Sequence, residues 1–173
     1  MNEDILHQGK YLTLKRRDHW EFVERSSGPA VVAIIAVTDD NELLLTDQYR
    51  LPIDERCIEL PAGLVGDEAA FAEESLIDAA VRELEEETGY RAQDARQIAV
   101  GPASAGLSTE MIYFIRASEL SKVSDGGGDS SENIVPHAIP IDEIGPWLER
   151  RADEGWLIDP KIFAALWWLH TQA

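Results

Sequence analysis

Three glutamates on one edge of a helix are the side chains of this chain best placed to do chemistry. Residues 82–90 read Arg-Glu-Leu-Glu-Glu-Glu-Thr-Gly-Tyr. At 3.6 residues per turn, Glu83 and Glu87 lie one above the other with Glu86 beside them. Like charges at these spacings cost a helix roughly a few tenths of a kcal/mol per pair, and carboxylates near its C-terminus oppose the macrodipole. An edge that tolerates both is either well solvated or neutralised by a cation. A separate stripe of Ile77, Val81, Leu84 and Thr88 can face a core. The same helix therefore packs and presents acid.

The elements around it must position that edge. The helix is expected to start near Glu73 and Glu74 and to stop at Gly89. Residues 10–25 read as two short strands of an antiparallel hairpin that carries Trp20. Residues 30–37 are apolar and β-branched, as in a strand buried on both faces, and 42–50 return as its hairpin partner. A short apolar stretch at 57–60 leads to Pro61-Ala62-Gly63. Further strands are expected at 96–101, 111–117 and 134–139. Between the first two lies a loop of small residues that can approach a ligand closely, and it ends at Glu110. Residues 121–131 read as a mobile surface loop by composition. Asp142 can cap a helix running to about residue 154, and Asp159-Pro160 suits the start of a last helix. Trp156, Trp167 and Trp168 are expected to pack there.

Composition removes several functions. The 173 residues are 45% hydrophobic, enough for one domain with a proper core. A net charge of -18 argues against binding a nucleic-acid backbone, which needs a basic surface. The single cysteine, Cys57, allows no internal disulfide framework and suits a reducing compartment. The first residues lack the apolar region of a signal peptide, and no apolar run approaches a bilayer span. A cytoplasmic protein with no membrane partner is expected. No acidic loop with EF-hand spacing is present.

Residues 82–90 resemble the R-E-U-x-E-E-x-G-U half of the box that marks the Nudix hydrolase family, U being a bulky apolar residue. Arg82, Glu83, Glu86, Glu87 and Gly89 match the fixed positions, and Leu84 and Tyr90 the apolar ones. Glu74 stands eight residues before Arg82, as the upstream glutamate of the family does. The family usually has five residues between its first glycine and that glutamate. Counted from Gly63, this chain has ten, which reads as a five-residue insertion within 64–73.

The resemblance implies an α/β fold, a Nudix-type α/β/α sandwich with a mixed sheet and an N-terminal antiparallel β extension. The extension would span residues 1–28 and the hydrolase domain 29–173. It also implies Mg²⁺, or Mn²⁺ in its place, held by Glu83, Glu86, Glu87 and the backbone carbonyl of Ala62, with these glutamates taking part in catalysis. Such an ion keeps several waters and needs few carboxylates once substrate phosphates join it. Arg82 and Glu74 would form a structural pair, and Gly63 and Gly89 would shape the turns. The segments around Gln48-Tyr49-Arg50, 59–64, 101–110 and 134–140 are similar to the branch that hydrolyses ADP-ribose and nucleotide sugars. That implies a small nucleoside diphosphate derivative as substrate, with Arg50 and Glu110 contacting it and Glu132 as general base. It implies a homodimer built on the N-terminal hairpin, with Trp20 stacking on the base. Hydrolysis of nucleoside triphosphates and a non-catalytic ligand-sensing module stay open as alternatives.

Overall fold

The structure, a computed structural model, describes residues 3–26, 30–66, 71, 73–128 and 133–172. Its centre is β4 (Ala30–Ala36), whose alternate side chains serve two cores. Val32, Ile34 and Ala36 point to one cluster with Leu84, Ala79 and Ala80 of α1 (Leu76–Thr88). Ala33 and Ile35 point to the other, which contains Ile144 and Leu148 of α2 (Ile144–Asp153) and Ile162 and Ala165 of α3 (Pro160–Gln172). A strand whose faces alternate between two helical layers has no position left for a polar residue. That explains the unbroken apolar run and yields the expected α/β/α sandwich. Cutting Ile34 or Ile35 to alanine would cost about 2–5 kcal/mol.

Two four-stranded sheets lie between the helices. One has the order β7-β4-β9-β8, with β7 (Ala62–Leu64), β8 (Tyr90–Pro102) and β9 (Met111–Lys122). Its β4 runs parallel to β9 and antiparallel to β7. The other has the order β10-β5-β6-β11, with β5 (Glu42–Arg50), β6 (Glu55–Glu59), β10 (Ile134–Pro140) and β11 (Leu157–Ile158). The expected hairpin of β4 with β5 is therefore corrected. A tight turn through Asn41, φ 61°, joins them, and beside it stands the isolated bridge Val37–Leu43, just past the end of β4. Both edges of each strand are taken by other partners, so the two diverge into separate sheets.

The N-terminal extension is a three-stranded antiparallel sheet of β1 (Glu3–Gln8), β2 (Leu12–Arg17) and β3 (Trp20–Arg25). Its first strand went unread in the sequence because all six of its residues are exposed. Val23 ties the sheet to the body: its N–H donates to Leu107 O at 2.8 Å, and its carbonyl accepts from Thr109 N at 3.1 Å.

Local chemistry sets the helix ends. The hydroxyl of Ser75 accepts from Asp78 N, so α1 starts one turn later than Glu73. Gly89, φ 75°, ends it in the left-handed region. Asp159 Oδ1 accepts from Lys161 N at 2.7 Å at the start of α3, as its sequence promised. Asp142 does not cap α2: Glu143 occupies that position without a side-chain bond. Trp156 and Trp168 pack on the core, whereas Trp167 is 68% exposed.

The segment read as a mobile loop is docked as far as Gly128. Gly127 N and Gly128 N donate to the last carbonyls of α1, Glu87 O at 2.9 Å and Glu86 O at 3.0 Å. Gly126, φ 71°, lies so close that a Cβ there would stand 2.5 Å from the carbonyl carbon of Thr88. Helix ends leave such carbonyls unsatisfied, and the glycines supply the donors.

Candidate active site

The site is built where the 61–63 loop meets the acidic edge of α1. Ile34 N donates to Pro61 O at 2.8 Å, and β7 pairs Ala62 with Ala33 and Gly63 with Val32. The central strand thus sets the height of the loop. From there Ala62 N donates to Glu87 Oε2 at 3.0 Å. Gly63 lies so near Glu83 that a Cβ would come within 2.0 Å of its carboxylate carbon. Only glycine permits that approach.

Arg82 holds the edge from outside. Its guanidinium donates to Glu74 at 2.8 and 3.2 Å, to Glu83 at 3.0 Å and to Glu86 at 3.0 Å. It also stacks over the ring of Phe71, 4.4 Å from the centroid. Glu74 first, and then Glu83, push its pKa further up. Arg82 therefore braces Glu74 and orients Glu83. Most of the lengthened segment at 64–73 lies outside the described residues, though Phe71 belongs to the described part.

A cavity of about 580 Å³ opens beside Ala62, Gly63 and Glu83. The same cavity is lined by three cations, each paired with a carboxylate that also lines it. Arg50 grips Glu59 in a fork, Nε to Oε1 at 2.6 Å and Nη2 to Oε2 at 2.7 Å. Arg25 pairs with Glu110, and Lys161 with Asp159. Cys57 sits in the same wall, its thiol pushed up to about 12, chiefly by burial. It stays protonated and does not serve as a nucleophile at neutral pH.

The residues expected from sequence fall into four groups. Glu83, Gly63, Ala62, Arg50 and Glu110 converge on the cavity. Glu87 joins them through Ala62, and Glu74, Arg82 and Gly89 take the bracing and capping positions described above. Glu86 and Trp20 lie elsewhere. Glu86, its side chain 50% exposed, lines an outer groove with Asp78, Val81, Arg82 and Glu85. Trp20 donates from Nε1 to Gly106 O at 3.0 Å and lines its own groove of about 370 Å³ with Phe22 and Ser108. A smaller hollow containing Ser108, Arg25 and Glu110 lies between that groove and the cavity. Glu132 lies outside the described residues, between Gly128, which is bonded to Glu86, and Ile134, which pairs with Gln48. Arg25, Glu59 and Lys161 were not singled out in the sequence. Lys161, next to the Asp-Pro cap, had a visible signal, but Arg25 had none before its strand was placed.

Among the described residues, no three His, Cys, Asp or Glu side chains converge as a ready-made metal cluster. The donor set still fits a hard divalent cation. Glu83 and Glu87 are oxygen donors pinned against one loop, and an ion such as Mg²⁺ commonly takes one or two carboxylates and completes its shell with water and phosphate.

Fold and site together define an α/β/α protein with a carboxylate-edged helix facing a cation-lined cavity. The chain belongs to the NUDIX domain family, whose profile matches residues 28–164. Members that are hydrolases generally use divalent metal ions. The chain is 30% identical over 147 residues to a methanol dehydrogenase activator of Bacillus methanolicus, covering 83% of this chain and 74% of that protein. It is 35% identical over 99 residues to an ADP-ribose pyrophosphatase of Bacillus subtilis (strain 168), covering 56% and 50%. It is 27% identical to an ADP-sugar pyrophosphatase of Mus musculus, covering 94% and 83%. A crystal structure of an ADP compounds hydrolase superposes with a TM-score of 0.75 at 21% identity, covering all of this chain and 94% of the other, which shows a shared fold.

Proposed function

We propose that this protein hydrolyses the pyrophosphate bond of ADP-ribose or a related nucleoside diphosphate sugar. The observation that carries this reading is one cavity lined both by Glu83, against Gly63, and by Arg50, Arg25 and Lys161. A diphosphate needs both kinds of group: carboxylates to hold a cation against it and fixed cations to take its remaining charge. Relatives named for ADP-ribose and ADP-sugar hydrolysis support the substrate class.

Glu83 and Glu87 would hold Mg²⁺, with the carbonyl of Ala62 completing the protein's share, while Glu86, one helical step away, faces the outer groove. When bound, the ion polarises a phosphoryl oxygen and acidifies water. Arg50, fixed in place by Glu59 through Nε and Nη2, orients the diphosphate with the guanidinium N–H groups that Glu59 leaves free. Water attacks one phosphorus, the bridging P–O bond breaks, and a nucleoside monophosphate and a sugar phosphate leave. Glu132 takes the proton of the attacking water, with the glycine segment anchored on α1 leading to it.

Residues 1–28 form the dimerisation element in this reading, and 29–173 the catalytic domain. Exposed Ile5 (62%), Tyr11 (66%) and Trp20 (54%) on the N-terminal sheet support a second copy covering it, with Trp20 stacking on the base. A single free cysteine supports a cytoplasmic setting. Among the described residues, no helix is long and apolar enough to cross a membrane.

A panel of ADP-ribose, nucleotide sugars and nucleoside triphosphates, assayed with Mg²⁺ in ¹⁸O-labelled water, tests the reading. AMP and ribose 5-phosphate from ADP-ribose are the expected products. Preference for triphosphates, or no turnover of any diphosphate, overturns it.

A further inference from the structure

The cap of α3 needs only a backbone amide at residue 161, yet the chain places a lysine there, with its side chain in the cavity wall. β11 fixes that position. It pairs parallel with β6, Leu157 against Cys57 and Ile158 against Ile58, and Asp159 N donates to Ile58 O at 2.9 Å. The next turn carries Lys161 to the rim, its side chain 22% exposed and paired with Asp159, itself 14% exposed. Cys57 lines the same cavity as this pair and the Arg50–Glu59 pair. The wall therefore presents two cations, each held by a neighbouring carboxylate. Such pairing keeps a long flexible side chain aimed at the cavity before any ligand arrives.

The ends of the cavity differ. Arg25 and Glu110 also line the smaller hollow that shares Ser108 with the Trp20 groove, so they mark the end facing the N-terminal sheet. Lys161, beside the edge strand β11 of the other sheet, lines neither hollow nor groove. We propose that Lys161 is a specificity-determining contact that binds the phosphate of the sugar-phosphate half of the substrate. This rests on the diphosphate reading above, with the nucleotide half lying toward the N-terminal sheet. An ammonium on a four-carbon stem suits a phosphate as a compact point charge.

Product inhibition of the full-length protein tests it, with Lys161→Met and Lys161→Arg compared with wild type. The Lys161→Met variant is expected to weaken inhibition by ribose 5-phosphate about tenfold or more and to leave AMP within about twofold. Lys161→Arg recovers most of the loss. AMP serves as the internal control for folding: equal weakening of both products, or of neither, overturns the assignment. If wild type hydrolyses no nucleoside diphosphate sugar, the diphosphate reading falls by itself. Calorimetric titration of the two products then judges Lys161 separately. Selective loss of ribose 5-phosphate binding in Lys161→Met sustains the contact. Equal affinities in wild type and variant, or no ribose 5-phosphate binding to wild type, overturn it.

Discussion

Gly63 and Glu83 touch so closely that a Cβ on residue 63 would stand 2.0 Å from the Glu83 carboxylate carbon. The backbone of Gly63 is held by β4, so in Gly63→Ala it is the glutamate that must move. Displacing a reacting group by about 1 Å costs on the order of 10²-fold in rate. Gly63→Ala is therefore expected to lower kcat by about that factor at little cost in stability, since only the flexible end of Glu83 must give way. Steady-state kinetics beside a thermal melt check this. Wild-type turnover in a folded variant would remove Glu83 from the chemistry.

Arg82 serves Glu74, Glu83 and Glu86 at once through a rigid fork. A lysine ammonium has neither the planarity nor the span for three carboxylates. Arg82→Lys is expected to lose about 1–2 kcal/mol and Arg82→Ala about 2–4 kcal/mol, since Glu74 and Glu83 are largely buried. Urea denaturation midpoints read the difference. Equal midpoints for both variants and wild type would show that the brace contributes nothing.

How much of this was legible in the sequence follows the range of each interaction. The acidic edge, the apolar stripe, Gly89 and the Asp159 cap are local, set by spacing within a turn or two, and each stands where expected. Sheet membership is not local. Nothing within residues 30–50 announces that β4 pairs with β9 and β5 with β10, because an apolar strand buried on both faces accepts either neighbour. Arg25 becomes visible only once β3 is docked beside Glu110. The glycines at 126–128 read as freedom by composition, whereas their positive φ angles let them close on the end of α1. Glu86 sits correctly in the spacing, but one helical step of about 100° turns it from the cavity toward Arg82.

Arg50 and Glu59 are unequal partners. Glu59 is 7% exposed in its side chain and Arg50 42%. Removing the arginine strands a buried carboxylate, whereas Glu59→Gln leaves a neutral group that still accepts a hydrogen bond. Arg50→Ala is expected to raise KM about tenfold or more and to cost about 2 kcal/mol of stability. Glu59→Gln should change KM by less than Arg50→Ala, because the guanidinium remains. The reverse order in a side-by-side kinetic comparison would show that Glu59, and not Arg50, meets the substrate.

His137 belongs to a second buried polar cluster in the same sheet. Asp47, 2% exposed, accepts from Arg56 Nε at 2.6 Å and lies 3.4 Å from His137 Nε2, and the imidazole rests against Trp147 at 5.2 Å. Burial lowers the pKa of His137, the Arg151 and Arg56 charges lower it further, and Asp47 opposes them without prevailing. The folded state therefore binds fewer protons than the unfolded chain between the lowered pKa and the ordinary value of about 6.5. Stability is full above about pH 6.5 and declines as pH falls through that window. His137→Asn removes this titration and leaves the rest of the protein's acid response in place. The drop in melting temperature between about pH 7.5 and about pH 5 is expected to be larger for wild type than for the variant. A larger drop in the variant would mean that folded His137 prefers its proton, with Asp47 outweighing burial.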